Sequence, residues 1–242
     1  MYKLLYDYHT HTVYSHGKGT IADNVKAAHE KGLRGIAISD HGPAHVFYGV
    51  KRDKIKAMRE EIDKLKSVYP DMEIFLAVEA NILHAGNGLD VSHEETSDYD
   101  FILAGYHFGV KNGYCIENFL NTKTGFSFSG SKRLLVKNTE MVVKSIYENP
   151  IKILTHPCGK ARFDISEIAK ACADRGTLLE INASHKNLTI EEIKLASKVA
   201  GAKFVVSSDA HVPERVGDVE AAVKRAIDAG LDLSRIVNVA RL

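Results

Sequence analysis

The stretch MYKLLYDYHTHTVYSHG places His9, His11 and His16 at and just beyond the end of a short apolar run. In extended backbone, residues i and i+2 point to one side, so the rings of His9 and His11 can reach one point, as metal ligands must. Further along, SDHG offers Asp40 and His41, AVEAN offers Glu79, AGYHF offers His107, LTHP offers His156, and SSDAH offers Asp209 and His211. Asp40 reads as an orienter of its neighbour His41. The other nine are imidazoles and carboxylates, the ligand types that suit zinc, manganese or iron, and they exceed the four to six positions of one ion. The set calls for two or three divalent ions, with Glu79 and Asp209 supplying the negative charge that lets close cations coexist.

These residues run from His9 to His211, so the fold must gather them. Apolar runs rich in Val and Ile (LLYDY, RGIAIS, EIFLAVEA, DFILAGY, IKILTH, TLLEIN and KFVVSS) alternate with amphipathic stretches. That is the order of a parallel sheet covered by helices. TIADNVKAAHEKG opens on Thr20 as a helix cap and stops at Gly32, while Ile55, Met58, Ile62 and Leu65 recur at helical spacing before Pro70. SEIAKACADRG, TIEEIKLASKVAG and EAAVKRAIDAG repeat the pattern. Each candidate ligand then lies at or just past the C-terminal end of a strand, and in a (β/α) barrel those ends share one face, where active sites sit. HAGNGLDVSHEETSDY and GVKNGYCIENFLNTKTGFSFSG read as functional loops within a single domain spanning 1–242.

Composition excludes several classes. Charge is balanced, 32 Lys+Arg against 31 Asp+Glu, which leaves no basic footprint for nucleic acid beyond a local patch. Cys115, Cys158 and Cys172 lack C-x-x-C spacing, arguing against a cysteine zinc site or a disulfide framework and for a reduced, cytoplasmic setting. No window reaches the roughly 18 apolar residues of a membrane span, and no signal-peptide stretch opens the chain. The expectation is a soluble protein without a membrane partner. The twelve histidines are dispersed rather than a tag.

The ordered motifs, H-T-H with a further His, S-D-H, the Glu of the third strand, two isolated histidines and a terminal D-x-H, cover nearly the whole chain. In them the sequence resembles the PHP (polymerase and histidinol phosphatase) family of metal-dependent phosphoesterases. The resemblance implies an α/β fold, a distorted (β/α)7 TIM-like barrel, and a site that commonly holds three metals. By it, His9, His11, Glu79 and Asp209 hold one ion, His16, His41 and His211 a second, and Glu79, His107 and His156 the third. Metal-dependent amidohydrolases also begin with H-x-H, but a modified lysine commonly bridges their sites where this chain has Glu79.

Clustered divalent ions bring the pKa of bound water toward neutrality and neutralise phosphate charge. Glu79, Asp209 and His211 are therefore the expected catalytic centre of a phosphatase whose partner is a small phosphorylated substrate, histidinol-phosphate-like or a nucleotide. Metal-bound hydroxide is the expected nucleophile, since neither G-x-S-x-G nor C-x₅-R occurs. Arg162 and Arg215 follow ligand-bearing strand ends and are candidates for holding substrate phosphate; Lys132 and Arg133, at a helix start, are weaker ones. His45, His84, His93 and His185 are assigned no role beyond contacts with ligands or substrate, and His29 reads as structural. A nuclease or phosphodiesterase of the same family and a noncatalytic metal-binding module are the competing functions.

Overall fold

The computed structural model describes residues 2–111 and 114–241. Its first strand, β1 (Tyr2–Leu4), pairs antiparallel with the last, β9 (Val239–Arg241), as a ribbon apart from the main sheet. The main sheet has seven parallel strands in sequence order: β2 (Tyr6–Thr10), β3 (Gly35–Ile38), β4 (Glu73–Asn81), β5 (Phe101–Gly105), β6 (Ile151–Leu154), β7 (Leu178–Asn182) and β8 (Phe204–Ser207). Order without a switch point curls the sheet toward closure. β2 meets β8 through a parallel bridge between Thr10 and Ala210, with the His11 N–H donating to the Ala210 carbonyl at 2.8 Å. At the other end of that seam, the buried side chain of Asn238 donates to the carbonyls of Tyr6 and Val206 at 2.8 and 2.6 Å. The result is the expected distorted (β/α)7 barrel.

Among the described residues, seven α-helices follow the strands or their loops: α1 (Ile21–Glu30), α2 (Ile55–Val68), α3 (Cys115–Thr124), α4 (Ser131–Glu148), α5 (Ile165–Arg175), α6 (Ile190–Ser197) and α7 (Glu220–Asp228). Thr20 caps α1 in a reciprocal box with Asp23, and Gly32 follows at φ 68°, where a side chain would be strained. Such a cap contributes about 1 kcal/mol.

Two local expectations are corrected. LLYDY is not one strand: the Leu5 N–H donates to Asn238 and its carbonyl accepts from Arg34, so the chain changes partners there, from β9 to β3. His9 consequently lies inside β2 rather than at its end. The second long stretch is not wholly a loop, because Cys115–Thr124 within it is helical; Asn112 and Gly113 of that stretch lie outside the described residues.

Strand parity decides what fills the barrel. Ala37, Ala77, Leu103, Ile153, Leu178 and Val205 form an apolar plug in its interior, with Tyr8, Phe75 and Phe101 packed against it. Period-2 alternation carries the same inward face two residues further to Ser39, Glu79, Gly105, Thr155, Glu180 and Ser207, then to His41, Asn81, His107, Asn182 and Asp209. The lumen thus changes from apolar to ionisable along one direction. On β2 the ladder shifts register between Asp7 and Thr10, an irregularity of the kind that re-aims side chains beside sites. Ile36, Ile38, Ile74, Leu76, Ile102, Leu179 and Val206, facing the other way, are buried under the helices.

Candidate metal centre

The ionisable end of the lumen opens into a cavity of about 400 Å³ whose walls include His11, His16, His41, His107, His156, His211, Glu79 and Asp209. His9 lies beneath them, fully buried. Nε2 of His9 is 3.1 Å from Nε2 of His11, and Nε2 of His16 is 2.7 Å from Nε2 of His211. Glu79 serves both sides of the site: Oε1 is 2.8 Å from His156 and 3.3 Å from His107, while Oε2 is 3.0 Å from His41 and 3.4 Å from His9. Asp209 Oδ1 lies 3.2 Å from His11 and 3.5 Å from His9.

Four groupings have ligand atoms close enough to share an ion: His11, His16, His41 and His211; His9, His11 and Asp209; His9, Glu79 and His156; and His41, Glu79 and His107. All nine residues singled out as ligands in the sequence stand in them. The groupings overlap, with His9, His11, His41 and Glu79 each in two, so they do not divide the residues as the family resemblance does.

The donor set fits divalent cations. Nδ1 of His11 and Nδ1 of His16 are buried without a hydrogen-bond partner, and Nδ1 of His41 and Nε2 of His107 face the Glu79 carboxylate at 3.0 and 3.3 Å without hydrogen-bond geometry. Unpaired buried polar atoms are costly, and here they belong largely to groups that chelate. His156 and Asp209 also adopt left-handed backbone, φ 28° and 51°, a cost of about 1 kcal/mol each.

Electrostatics sort the groups into two kinds. Burial opposes ionisation of Glu79, yet His107, His9, His156 and His41 hold its carboxyl well below the usual range. Asp209 is likewise held well below by His9 and His11 against its burial. Burial would lower His9, but Asp209, Glu79 and Glu180 outweigh it and keep its pKa well above an ordinary imidazole. Burial wins at His11, held well below; it also dominates at His16 and His107, pushed down to about 4 and about 3. These three rings are neutral near pH 7 and ready to ligate, whereas His9 must give up a proton.

A further layer fixes the ring orientations. Nδ1 of His107 faces Asn81 Oδ1 at 2.8 Å, and Asn81 donates from its backbone and side chain to Asp90, both at 2.6 Å. Asp40, expected to orient His41, instead accepts from the N–H of Thr12 at 2.7 Å, its hydroxyl at 2.6 Å and the hydroxyl of Ser15, clamping the loop that carries His11 and His16. Glu180, absent from the sequence reading, contacts Nδ1 of His9 at 2.7 Å and accepts from the His156 N–H at 2.6 Å. Its signal was parity, since Glu180 shares the inward face of Leu178 and Asn182 in a buried strand.

The two arginines fall elsewhere. Arg162 is exposed and lines a separate hollow with Asn121 and Ser131, and Arg215 pairs with Asp218 at 3.2 Å. Lys160 lines the cavity, together with His45 and His185; Nε2 of His185 is 3.3 Å from Asp209 Oδ2. His29 lies 3.6 Å from Asp71 at the surface, His93 contacts the Glu148 carbonyl at 3.0 Å, and His84 stacks on Tyr114.

Residues 7–184 match the model of the PHP domain. The chain belongs to the PHP-domain family. Among its PHP relatives, a protein of Thermoanaerobacter sp. named a probable phosphatase is 30% identical over 250 residues, covering 98% of this chain and 91% of that protein. A probable phosphatase of Shewanella oneidensis is 31% identical over 239 residues, covering 92% and 82%. Among solved structures, the histidinol phosphate phosphatase of Lactococcus lactis, complexed with zinc, L-histidinol and phosphate, aligns with a TM-score of 0.63 over 93% of this chain and 94% of that one. At 14% identity that likeness is one of fold.

Proposed function

We propose that this PHP protein is a metal-dependent phosphatase acting on small phosphomonoesters. The observation that carries the reading is the convergence of seven imidazoles with Glu79 and Asp209 on one cavity. In it, His9, His11, Glu79 and Asp209 would hold one divalent ion, His16, His41 and His211 a second, and Glu79, His107 and His156 a third, with zinc, manganese or iron as the metals these ligands suit. Bound there, such ions supply a nucleophilic water at neutral pH and neutralise phosphate charge.

The chain's own residues do the rest. Glu79 presents one oxygen to His107 and His156 and the other to His9 and His41, so a single carboxylate ties two parts of the site together. Lys160 lines the cavity as the cation for a phosphate oxygen or an anionic leaving group. Among the described residues that line the cavity there is no serine or cysteine, and a metal-activated water requires no covalent intermediate. The names of the probable phosphatase relatives, and the zinc and phosphate of the Lactococcus enzyme, support the same chemistry, with a histidinol-phosphate-like substrate as one member of the class.

The test is a panel of phosphate mono- and diesters with metal-reconstituted protein, including turnover in ¹⁸O-labelled water. Monoester hydrolysis with label in the released phosphate is expected. A trapped phosphoenzyme would reject direct attack, and cleavage of diesters or nucleic acid without monoesterase activity would replace this reading with the nuclease one.

A further inference from the structure

One side of the cavity mouth is built of rings rather than charges. Phe47 is 76% exposed, on the turn of residues 43–49 that follows β3, and its ring lines the mouth together with Tyr48 and Phe108. Tyr48 stacks on His16 with centroids 4.3 Å apart and planes at 21°, and on His45 at 4.9 Å; Phe47 lies next along the mouth, 6.1 Å from Tyr48 and tilted 53° to it.

The turn that presents these rings is held in place. The Val46 N–H donates to the Gly109 carbonyl at 3.1 Å, Gly49 to His45 at 3.0 Å, Ala44 to Asp90 at 2.9 Å, and Tyr48 to Nδ1 of His45 at 3.2 Å. A phenylalanine exposed on a backbone held at the lip of a polar cavity keeps apolar surface in water, which a flat apolar partner would cover.

We propose that Phe47 is a specificity-determining residue that, with Tyr48, selects phosphomonoesters whose alcohol carries a flat ring. This rests on the phosphomonoesterase reading above. A substrate whose phosphate reaches the ligand cluster passes over Tyr48, which stacks on His16, and its leaving group meets Phe47 one ring further out. A ring gains stacking there; a short aliphatic or bare sugar alcohol does not.

The test compares kcat/KM within two pairs that share a primary alkoxide leaving group and differ by a ring: adenosine 5′-monophosphate against ribose 5-phosphate, and 2-phenylethyl phosphate against propyl phosphate. The ring-bearing member is expected to be favoured about tenfold, and the ratio should fall to about twofold or less in Phe47→Ala while surviving in Phe47→Tyr. A ratio does not depend on the fraction of active protein, so misfolding of a variant cannot imitate the effect. Ratios near one in the parent, or a ratio unmoved in Phe47→Ala, overturn the inference and leave the monoesterase reading standing. Loss of turnover on every monoester overturns both.

Discussion

Nδ1 of His9 lies 2.7 Å from Oε1 of Glu180, a residue 171 positions away. The other oxygen of that carboxylate accepts the His156 N–H at 2.6 Å, so one buried acid orients the ring of one candidate ligand and the backbone of another. Nε2 of His9 is left facing His11, Glu79 and Asp209. Glu180→Gln keeps the shape and loses the charge. Its metal affinity, read by competition with a chelator, should fall about 10- to 100-fold in protein that circular dichroism shows to be folded. Parental affinity would remove Glu180 from the centre.

Gly105 is the second point of leverage. A Cβ there would collide with Thr155 Oγ1 and meet Glu79 Oε1 at 2.9 Å, and the Thr155 hydroxyl donates to that same Glu79 oxygen at 2.7 Å. Gly105→Ala should destabilise the protein by about 1–3 kcal/mol and lower metal content with it. Denaturant unfolding and elemental analysis read the two effects. A variant with parental stability and a full complement of metal would show that Glu79 needs no such clearance.

Lys160 lines the cavity, whereas Arg162 and Arg215 stand outside it. Lys160→Ala should raise KM for a phosphomonoester about tenfold with a smaller change in kcat, the signature of lost binding to a charged group. Arg162→Ala and Arg215→Ala should change KM by less than about twofold. A large rise in KM on removing either arginine, with none at Lys160, would reverse the assignment.

The pH dependence of stability follows from His9 and His156. Burial opposes their protonation, but Asp209 and Glu79 at His9, and Glu79 and Glu180 at His156, raise both above 6.5 in the metal-free protein. A raised folded pKa contributes stability that is complete below 6.5 and disappears as pH climbs through the folded value. Metal binding needs the neutral rings and becomes stronger over the same range. The gap in Tm between metal-loaded and metal-free protein should therefore widen from about pH 6 to about pH 9. A gap that narrows would contradict the protonation states described.

Much of this architecture is legible in the sequence because two periodicities coincide. Apolar runs separated by helical stretches define the seven barrel strands, and the histidines and acids fall in the C-terminal parts of those strands (His9, Glu79) or just beyond them, so one barrel face collects them. Glu180 escaped because it lies within an apolar run, where a lone acid carries no motif; only counting inward parity from Leu178 through register-paired strands reveals it. The break at Leu5 and the seam closed by Asn238 depend on pairing between the two ends of the chain, which local pattern does not encode. The arginines followed the right strands but lie beyond their ends, Arg162 on a loop and Arg215 in a short 3-10 turn, whose course parity does not determine.

The most direct test of the multinuclear account is a stepwise metal titration of chelator-stripped protein, following phosphomonoester hydrolysis against bound metal measured by elemental analysis. The stripped protein should be inactive, and activity should return only as the second or third equivalent of zinc or manganese binds. Full activity in metal-free protein, or full recovery with a single bound ion, would contradict it.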